Sequence, residues 1–307
     1  MDSNSKCPTI DKQAATAIVR ESIDAFLTVT AIKPLHGGMI NRVEEWQTDG
    51  NPSSIVAKVS PQKDRQDFVE EFESLRWYRS RASLPVPEPY ACVSASKHFE
   101  GSCLLMQKVK GRNLSRARLT TNGMQNFQEQ LADVLIDLHN HTRQNYGSAL
   151  QAEGKDRWLD IFAPRMESNF LEMKGHFDSR CRDIVYKVLN QLDDWLPEFG
   201  RPTLVHGDIW ATNIMIDDAN PDTSLITAFL DSHAHFAEVE YELAYLRIFH
   251  TADETFFSRY SRCHPLREGF ERRCLVYWLN TMMLHVWLFG TSYLSACENL
   301  VDKISRY

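Results

Sequence analysis

The 307-residue chain lacks the cysteine pattern of a disulfide-braced fold. Its seven cysteines (Cys7, Cys92, Cys103, Cys181, Cys263, Cys274 and Cys297) are odd in number and scattered, with no Cys-x-x-Cys pair. Such usage suits reduced thiols in a cytoplasm. Long apolar runs are missing too: the densest, Thr281–Gly290, is far shorter than a membrane span and contains His285. The opening MDSNSKCPTI has no charged-then-apolar profile of a secretion signal. Basic residues are in deficit, 34 Lys and Arg against 41 Asp and Glu, for a formal charge of −7. That balance disfavours a nucleic-acid partner and is compatible with a cationic small substrate. Internal repeats, low-complexity tracts and a G-x-G-x-x-G loop are also lacking. The expectation is a soluble, cytoplasmic protein with neither a membrane nor a nucleic acid as partner.

A hydrophobic content of 43% is ordinary for a globular chain of this length and allows a full core in one large domain or two lobes. Residues 11–27 predict a leading amphipathic helix. β-type runs follow at Val29–Leu35, Arg42–Thr48 and Ser54–Val59, then a charged helix near Arg65–Arg81, stopped by Leu84-Pro85-Val86-Pro87-Glu88-Pro89. Two further strands, around Tyr90–Ser94 and Cys103–Val109, complete a β-rich half. Past Gly111 the pattern turns helical: Phe127, Leu131, Val134, Leu135 and Leu138 share one face. A helix is expected over Asp183–Leu196, and several between Glu238 and Arg306. The predicted class is α+β, with a small β-rich N-terminal lobe at 1–107, a larger mainly helical C-terminal lobe at 108–307, and a functional cleft between them.

The chemistry concentrates in Leu204–Asp231, LVHGDIWATNIMIDDANPDTSLITAFLD. Asp208 sits in a His-Gly-Asp loop, Asn213 follows five residues later, and Asp231 closes the segment. The apolar runs Ile214–Ile216 and Leu225–Leu230 flank the turn-like stretch Asp217–Asp222, which predicts a hairpin. Its open ends would bring Asn213 and Asp231 together beside the Asp208 loop. Hard oxygen ligands in small number are what Mg²⁺ takes from a protein at a nucleotide site. This pattern points to phosphoryl transfer, with Asp208 as base and Asn213 and Asp231 as metal ligands.

A nucleotide site also needs a cation. Lys58 lies in the middle of the apolar run Ile55–Val59, where an unpaired ammonium would be costly. Alternation puts it on the face of Val56, opposite Ile55, Ala57 and Val59. On the following helix Phe68, Phe72 and Leu75 fall within about 60° of one another, and Glu71 borders that face while Glu70 and Glu73 point away. Glu71 is therefore the expected partner of Lys58. Gly37-Gly38, in a hairpin turn, could bring backbone N–H groups to phosphates. Gln107 and Val109 in the connector would offer backbone contacts to adenine. Trp210, His233, Glu238 and Glu242 are acceptor-side candidates, the two acids as attractors of a cationic substrate. His233-x-His235 also admits a metallohydrolase pair, although no further ligands follow at useful spacing.

HGDIWATNIM at 206–215 resembles the HGDLWSGN-type loop of the fructosamine (ketosamine) kinase family, which belongs with the aminoglycoside phosphotransferases in the protein-kinase-like fold. The similarity continues through Glu240-Tyr241-Glu242-Leu243-Ala244, Phe257…Tyr260, Pro265…Gly269-Phe270-Glu271…Arg273…Tyr277 and His285…Phe289-Gly290…Tyr293. Lys58, Glu71 and Gln130-Leu131-Ala132…Leu138-His139 match earlier landmarks. The resemblance implies ATP- and Mg²⁺-dependent phosphorylation of a hydroxyl on a small sugar-like or ketosamine-like acceptor, with Lys58 and Glu71 as the phosphate-gripping pair. Two departures touch the acceptor side. Ser232 follows Asp231 where the family has Pro, and the Tyr146-Gly147-Ser148…Trp158 stretch is shortened. They keep open an antibiotic-inactivating phosphotransferase, and, from another class, a nucleotide-binding protein without turnover.

Overall fold

The computed structural model describes residues 10–35, 42–96, 98–198 and 200–307. It resolves into two compact units, one comprising 1–120 with 212–233 and the other 121–211 with 234–307. In chain order the elements of the N-terminal part are α1 (Lys12–Ser22), β1 (Val29–Leu35), β2 (Arg42–Thr48), β3 (Ser54–Ser60), α2 (Gln66–Arg81), β4 (Pro89–Val93), β5 (Ser102–Gln107) and β6 (Arg112–Asn113). Next come α3 (Thr121–His139), β7 (Gly147–Ser148), α4 (Leu159–Met173), α5 (Ser179–Asn190), α6 (Leu192–Trp195) and β8 (Thr203–Val205). The rest are β9 (Ile214–Asp217), β10 (Leu225–Phe229), β11 (His235–Ala237), α7 (Val239–Ile248), α8 (Glu254–Tyr260), α9 (Phe270–Phe289) and α10 (Leu294–Ile304).

The first unit is built on a five-stranded antiparallel sheet in the order β1-β2-β3-β5-β4. Period-two alternation sorts its residues onto two faces. Ile55, Ala57 and Val59 of β3 join Trp46, Cys103 and Leu105 in a core with Ala15, Ile18 and Val19 of α1. On the opposite face, Val56, Leu104 and Met106 pack with Phe68 and Phe72 of α2. The leading helix stops at Ser22, short of the expected 27. The Asp24 side chain accepts the backbone N–H of Phe26 at 2.9 Å, a local turn that competes with further helix.

This unit is larger than the expected 1–107, because the β9–β10 hairpin belongs to it. β6 pairs with β9, giving a three-stranded sheet β10-β9-β6. The Phe229 N–H also donates to the Pro85 carbonyl at 2.8 Å, and Lys110 and Asp217 pair at 2.6 Å. Local periodicity places the hairpin on neither half, and it is this strand pairing that decides. Gly111 permits the approach: its φ is +103°, and a Cβ there would fall 2.1 Å from the Ile216 carbonyl oxygen.

The second unit is mainly helical. α9, buried along most of its length, packs against α4, α7 and α10, and α3 packs against α8. Trp158, Phe162, Tyr241 and Tyr277 form a chain of edge and tilted ring contacts, 5.2–6.2 Å between centroids. The expected helix over 183–196 is two helices, α5 and α6, broken at Gln191. A small sheet, β7-β11-β8, carries the His-Gly-Asp loop at the end of β8. Among the described residues no helix is long and apolar enough to cross a membrane.

Gly111→Ala should destabilise the protein by more than about 1 kcal/mol, since an L side chain is strained at this φ and collides with fixed backbone. Urea denaturation checks it; an unchanged midpoint would remove Gly111 as the pivot that lets β6 meet β9.

Candidate active site

In the first unit the site is organised around one buried cation. Lys58 rises from β3 on the α2 side of the sheet, where its Nζ lies 2.6 and 2.7 Å from the two Glu71 carboxylate oxygens and also bonds Asp231. The Lys58 and Glu71 side chains are only 13% and 7% exposed, so neither charge could persist alone. Glu71 is the acid that the helical wheel selects; Glu70 is exposed and Glu73 pairs with Arg76 at 3.3 Å. Burial alone would depress the lysine, but Glu71 and Asp231 outweigh it and raise its pKa, keeping an ammonium. Burial also pushes Glu71 up, against the pull of Lys58.

The hairpin brings its two feet together. The Leu230 N–H donates to the Asn213 carbonyl at 2.8 Å, one residue before Asp231. Asn213 is buried, whereas the Asp231 side chain is 44% exposed. Asp231 has φ +57°, a left-handed conformation uncommon for a non-glycine residue and enriched where function demands it. An amide and a carboxylate at the two feet of a hairpin offer hard oxygen donors, the type that Mg²⁺ accepts. His233 is exposed and acts electrostatically on Glu71. Among the described residues there is no group of three or more His, Cys, Asp or Glu that could hold a metal ion, whereas a zinc hydrolase uses three protein ligands.

In the second unit Asp208 follows β8 in a tight turn. Gly207 has φ +89°, and a Cβ there would meet His235 Cε1 at 2.4 Å, so the turn requires glycine. The Asp208 N–H donates to His206 Nδ1 at 3.2 Å. α7 braces this loop. Glu242 accepts the Gly207 N–H at 2.6 Å on one oxygen and meets His139 Nε2 at 3.0 Å on the other, and His139 Nδ1 contacts the Tyr260 hydroxyl at 2.7 Å. One turn further, the Tyr245 hydroxyl donates to Asp208 Oδ1. Burial works against the Glu242 carboxylate, but His139 and the Gly207 N–H prevail and hold its pKa below the ordinary range.

Two acceptor-side expectations are corrected here. Glu242 is 1% exposed and saturated by His139 and Gly207, so it supports the loop and cannot meet a substrate. Glu238 is buried against Arg267 at 2.6 Å, beside a Glu240 that meets Arg267 at 2.9 Å and Arg273 at 2.5 Å. Alternating acids read as an exposed anionic face because sequence does not reveal which arginines neutralise them. Trp210 is half-buried and faces Phe249 at 6.2 Å; Phe249 in turn meets Tyr245 at 4.7 Å and His285 at 5.3 Å, and His285 meets Tyr293 at 5.1 Å. Burial lowers the His285 pKa, which favours the neutral ring. Of this aromatic wall, only Trp210 was singled out from sequence as a site residue. Its other members lie on helices that fold back from distant positions.

Gln107 closes β5, its N–H donating to the Glu88 carbonyl at 2.8 Å and its side chain accepting the Glu88 N–H at 3.2 Å. Val109 follows, half-buried. Gly37 and Gly38 lie outside the described residues.

Comparison with solved structures places this fold in the kinase-like class. The crystal structure of a protein assigned as a fructosamine-3-kinase from Haemophilus somnus 129PT matches with a TM-score of 0.76 at 18% identity, covering 95% of this chain and 97% of that one. A thermostable aminoglycoside phosphotransferase mutant, in a ternary complex with AMP-PNP and hygromycin B, matches at 0.68 and 20%, covering 95% and 98%. The family model for fructosamine kinase matches residues 11–306, and the chain belongs to that family of ATP-using phosphotransferases with an alcohol group as acceptor. Ketosamine-3-kinase from Mus musculus is 26% identical over 312 residues, spanning 88% of this chain and 93% of its own.

Because the folded pKa of Glu242 is depressed, its contribution to stability is complete above the ordinary glutamate value and is lost as pH falls through the depressed one. Glu242→Gln should therefore lower stability at neutral pH by about 1–3 kcal/mol, the range for a buried group left unsatisfied. It should also flatten the acid-side loss seen in the wild type. Denaturant titrations at several pH values test both; parallel acid limbs would show that Glu242 is not the titrating brace.

Proposed function

We propose that the chain transfers the γ-phosphoryl group of ATP to a hydroxyl of a sugar-like, ketosamine-type acceptor, with Mg²⁺ as the accompanying ion, in a cytoplasmic setting that suits its free thiols. The observation that carries this reading is the buried Lys58 held between Glu71 and Asp231. A desolvated cation kept by two acids, one at the foot of the hairpin, suits the gripping of nucleotide phosphates better than a structural role. Asn213 and Asp231 supply the oxygen pair that would hold Mg²⁺, whose chemistry there would be to neutralise phosphate charge. Gln107 and Val109 would border the adenine, Gly37 and Gly38 the phosphates, and Trp210 the acceptor.

Asp208 takes the role of base. It accepts the proton of the acceptor hydroxyl as the new O–P bond forms and the bond to the β-phosphate oxygen breaks, releasing ADP. The work required of the protein is positioning and charge stabilisation, which a loop braced by Glu242 and a lysine fixed by Glu71 can supply.

Asp208→Asn should retain ATP binding while turnover falls by about 10²–10⁴-fold, the usual loss of a general base; near-wild-type turnover would refute the assignment. Lys58→Ala should raise the KM for ATP, and unaltered ATP kinetics would take Lys58 out of the site. Acceptor class is read by ADP release against fructosyl-lysine, ribulosyl-lysine, free sugars, hygromycin B and kanamycin, with mass spectrometry of the product. Turnover of the antibiotics alone would replace the ketosamine reading with an antibiotic-inactivating one.

A further inference from the structure

Glu242 and Tyr245 are three residues apart on α7 and so share a helical face. They grip two consecutive residues of one loop, Glu242 the backbone of Gly207 and Tyr245 the side chain of Asp208. The two contacts differ in kind. The first fixes where the loop lies; the second fixes which way its carboxylate turns. Tyr245 is itself held, its ring against Phe249 at 4.7 Å, and Phe249 is backed by Trp210 and His285.

We propose that Tyr245 is a positioning residue for phosphoryl transfer: its hydroxyl, bonded to Asp208 Oδ1, holds the carboxylate in the rotamer in which it meets the acceptor hydroxyl. The proposal rests on Asp208 being the base. Oδ1 is held by a donor that never leaves the protein, so the direction of the carboxylate is set before any acceptor arrives. Burial and the neighbouring Asp208 raise the phenol pKa far above its usual value, so the hydroxyl stays a donor throughout the working pH range. A donor on the carboxylate also stabilises its ionised form and keeps the base competent at lower pH. Among the described residues, the titratable groups around this pair include His206 on the same loop, His285 on α9, Tyr241 on α7, and Glu242 with His139. The aromatic wall joins the two functions, since Phe249 seats Tyr245 on one side and meets Trp210 on the other.

The test compares wild type, Tyr245→Phe, Asp208→Asn and a protein carrying 3-fluorotyrosine at position 245. ADP release is followed with fructosyl-lysine and ribulosyl-lysine, and without acceptor as the slow transfer to water, so the reading of Tyr245 is independent of the acceptor. Tyr245→Phe should lower kcat by about 10- to 100-fold, as expected for a misplaced catalytic group. Its KM for ATP should stay unchanged, and the acid limb of its kcat–pH profile should move to higher pH. The fluorinated phenol, a stronger donor, should keep turnover and move that limb the opposite way. A folded Tyr245→Phe protein with wild-type kcat and acid limb would overturn the proposal, as would one whose only change is a lower Tm. If Asp208→Asn is inactive while Tyr245→Phe is normal, the positioning role alone fails. If Asp208→Asn is fully active, the base assignment fails with it.

Discussion

A lysine ammonium removed from water in the middle of a β-strand dictates much of the first unit. The charge is tolerable only if carboxylates reach it, and two do, from elements far apart in sequence. β3 must keep its alternation so that Ile55, Ala57 and Val59 face α1 while Lys58 faces α2. The register of α2 must put Glu71, and no other acid of its run, against that face. The hairpin must be tied to the same unit, which its pairing with β6 and the close approach at Gly111 achieve. One unfavourable desolvation thereby fixes the register of a strand, the rotation of a helix and the seat of a ribbon.

The second unit meets a different demand, to hold a short loop rigidly without a long strand to support it. β8 has three residues, and the turn after it needs the left-handed Gly207. Rigidity comes instead from α7, through a carboxylate on the loop backbone and a phenol on the Asp208 side chain. The Glu242 carboxylate is anchored in turn by His139 and Tyr260, so α3, α7 and α8 all bear on one turn. Fully satisfied buried polar chains of this kind are rigid because every member loses a partner if one moves.

Much of this was legible in the sequence where the governing interaction is local. Strand alternation named the inward face of Lys58, and the helical wheel separated Glu71 from Glu70 and Glu73. Turn chemistry between two apolar runs gave the hairpin that brings Asn213 and Asp231 to adjacent positions. The acids after β11 misled for a corresponding reason. Glu238 and Glu242 have the spacing of a solvated anionic face, yet Arg267, from the connection between α8 and α9, and His139, from α3, pair with them in the interior. Likewise the end of α1 was set by a side-chain turn at Asp24 that amphipathic periodicity does not register.

The sequence by itself determined the strands of the first sheet and the helices beside them, the hairpin, the Lys58–Glu71 match and, through its motifs, the family. Those follow from periodicities and spacings within a few turns of chain, which backbone geometry enforces whatever the rest does. Tertiary structure alone decided that the hairpin belongs with the first sheet, that Glu238 and Glu242 are internal, and that Tyr245 reaches Asp208. Each is a choice of partner for a polar group across long stretches of chain. Such choices are settled by which groups share a desolvated space, and that space exists only once the helices and strands have packed.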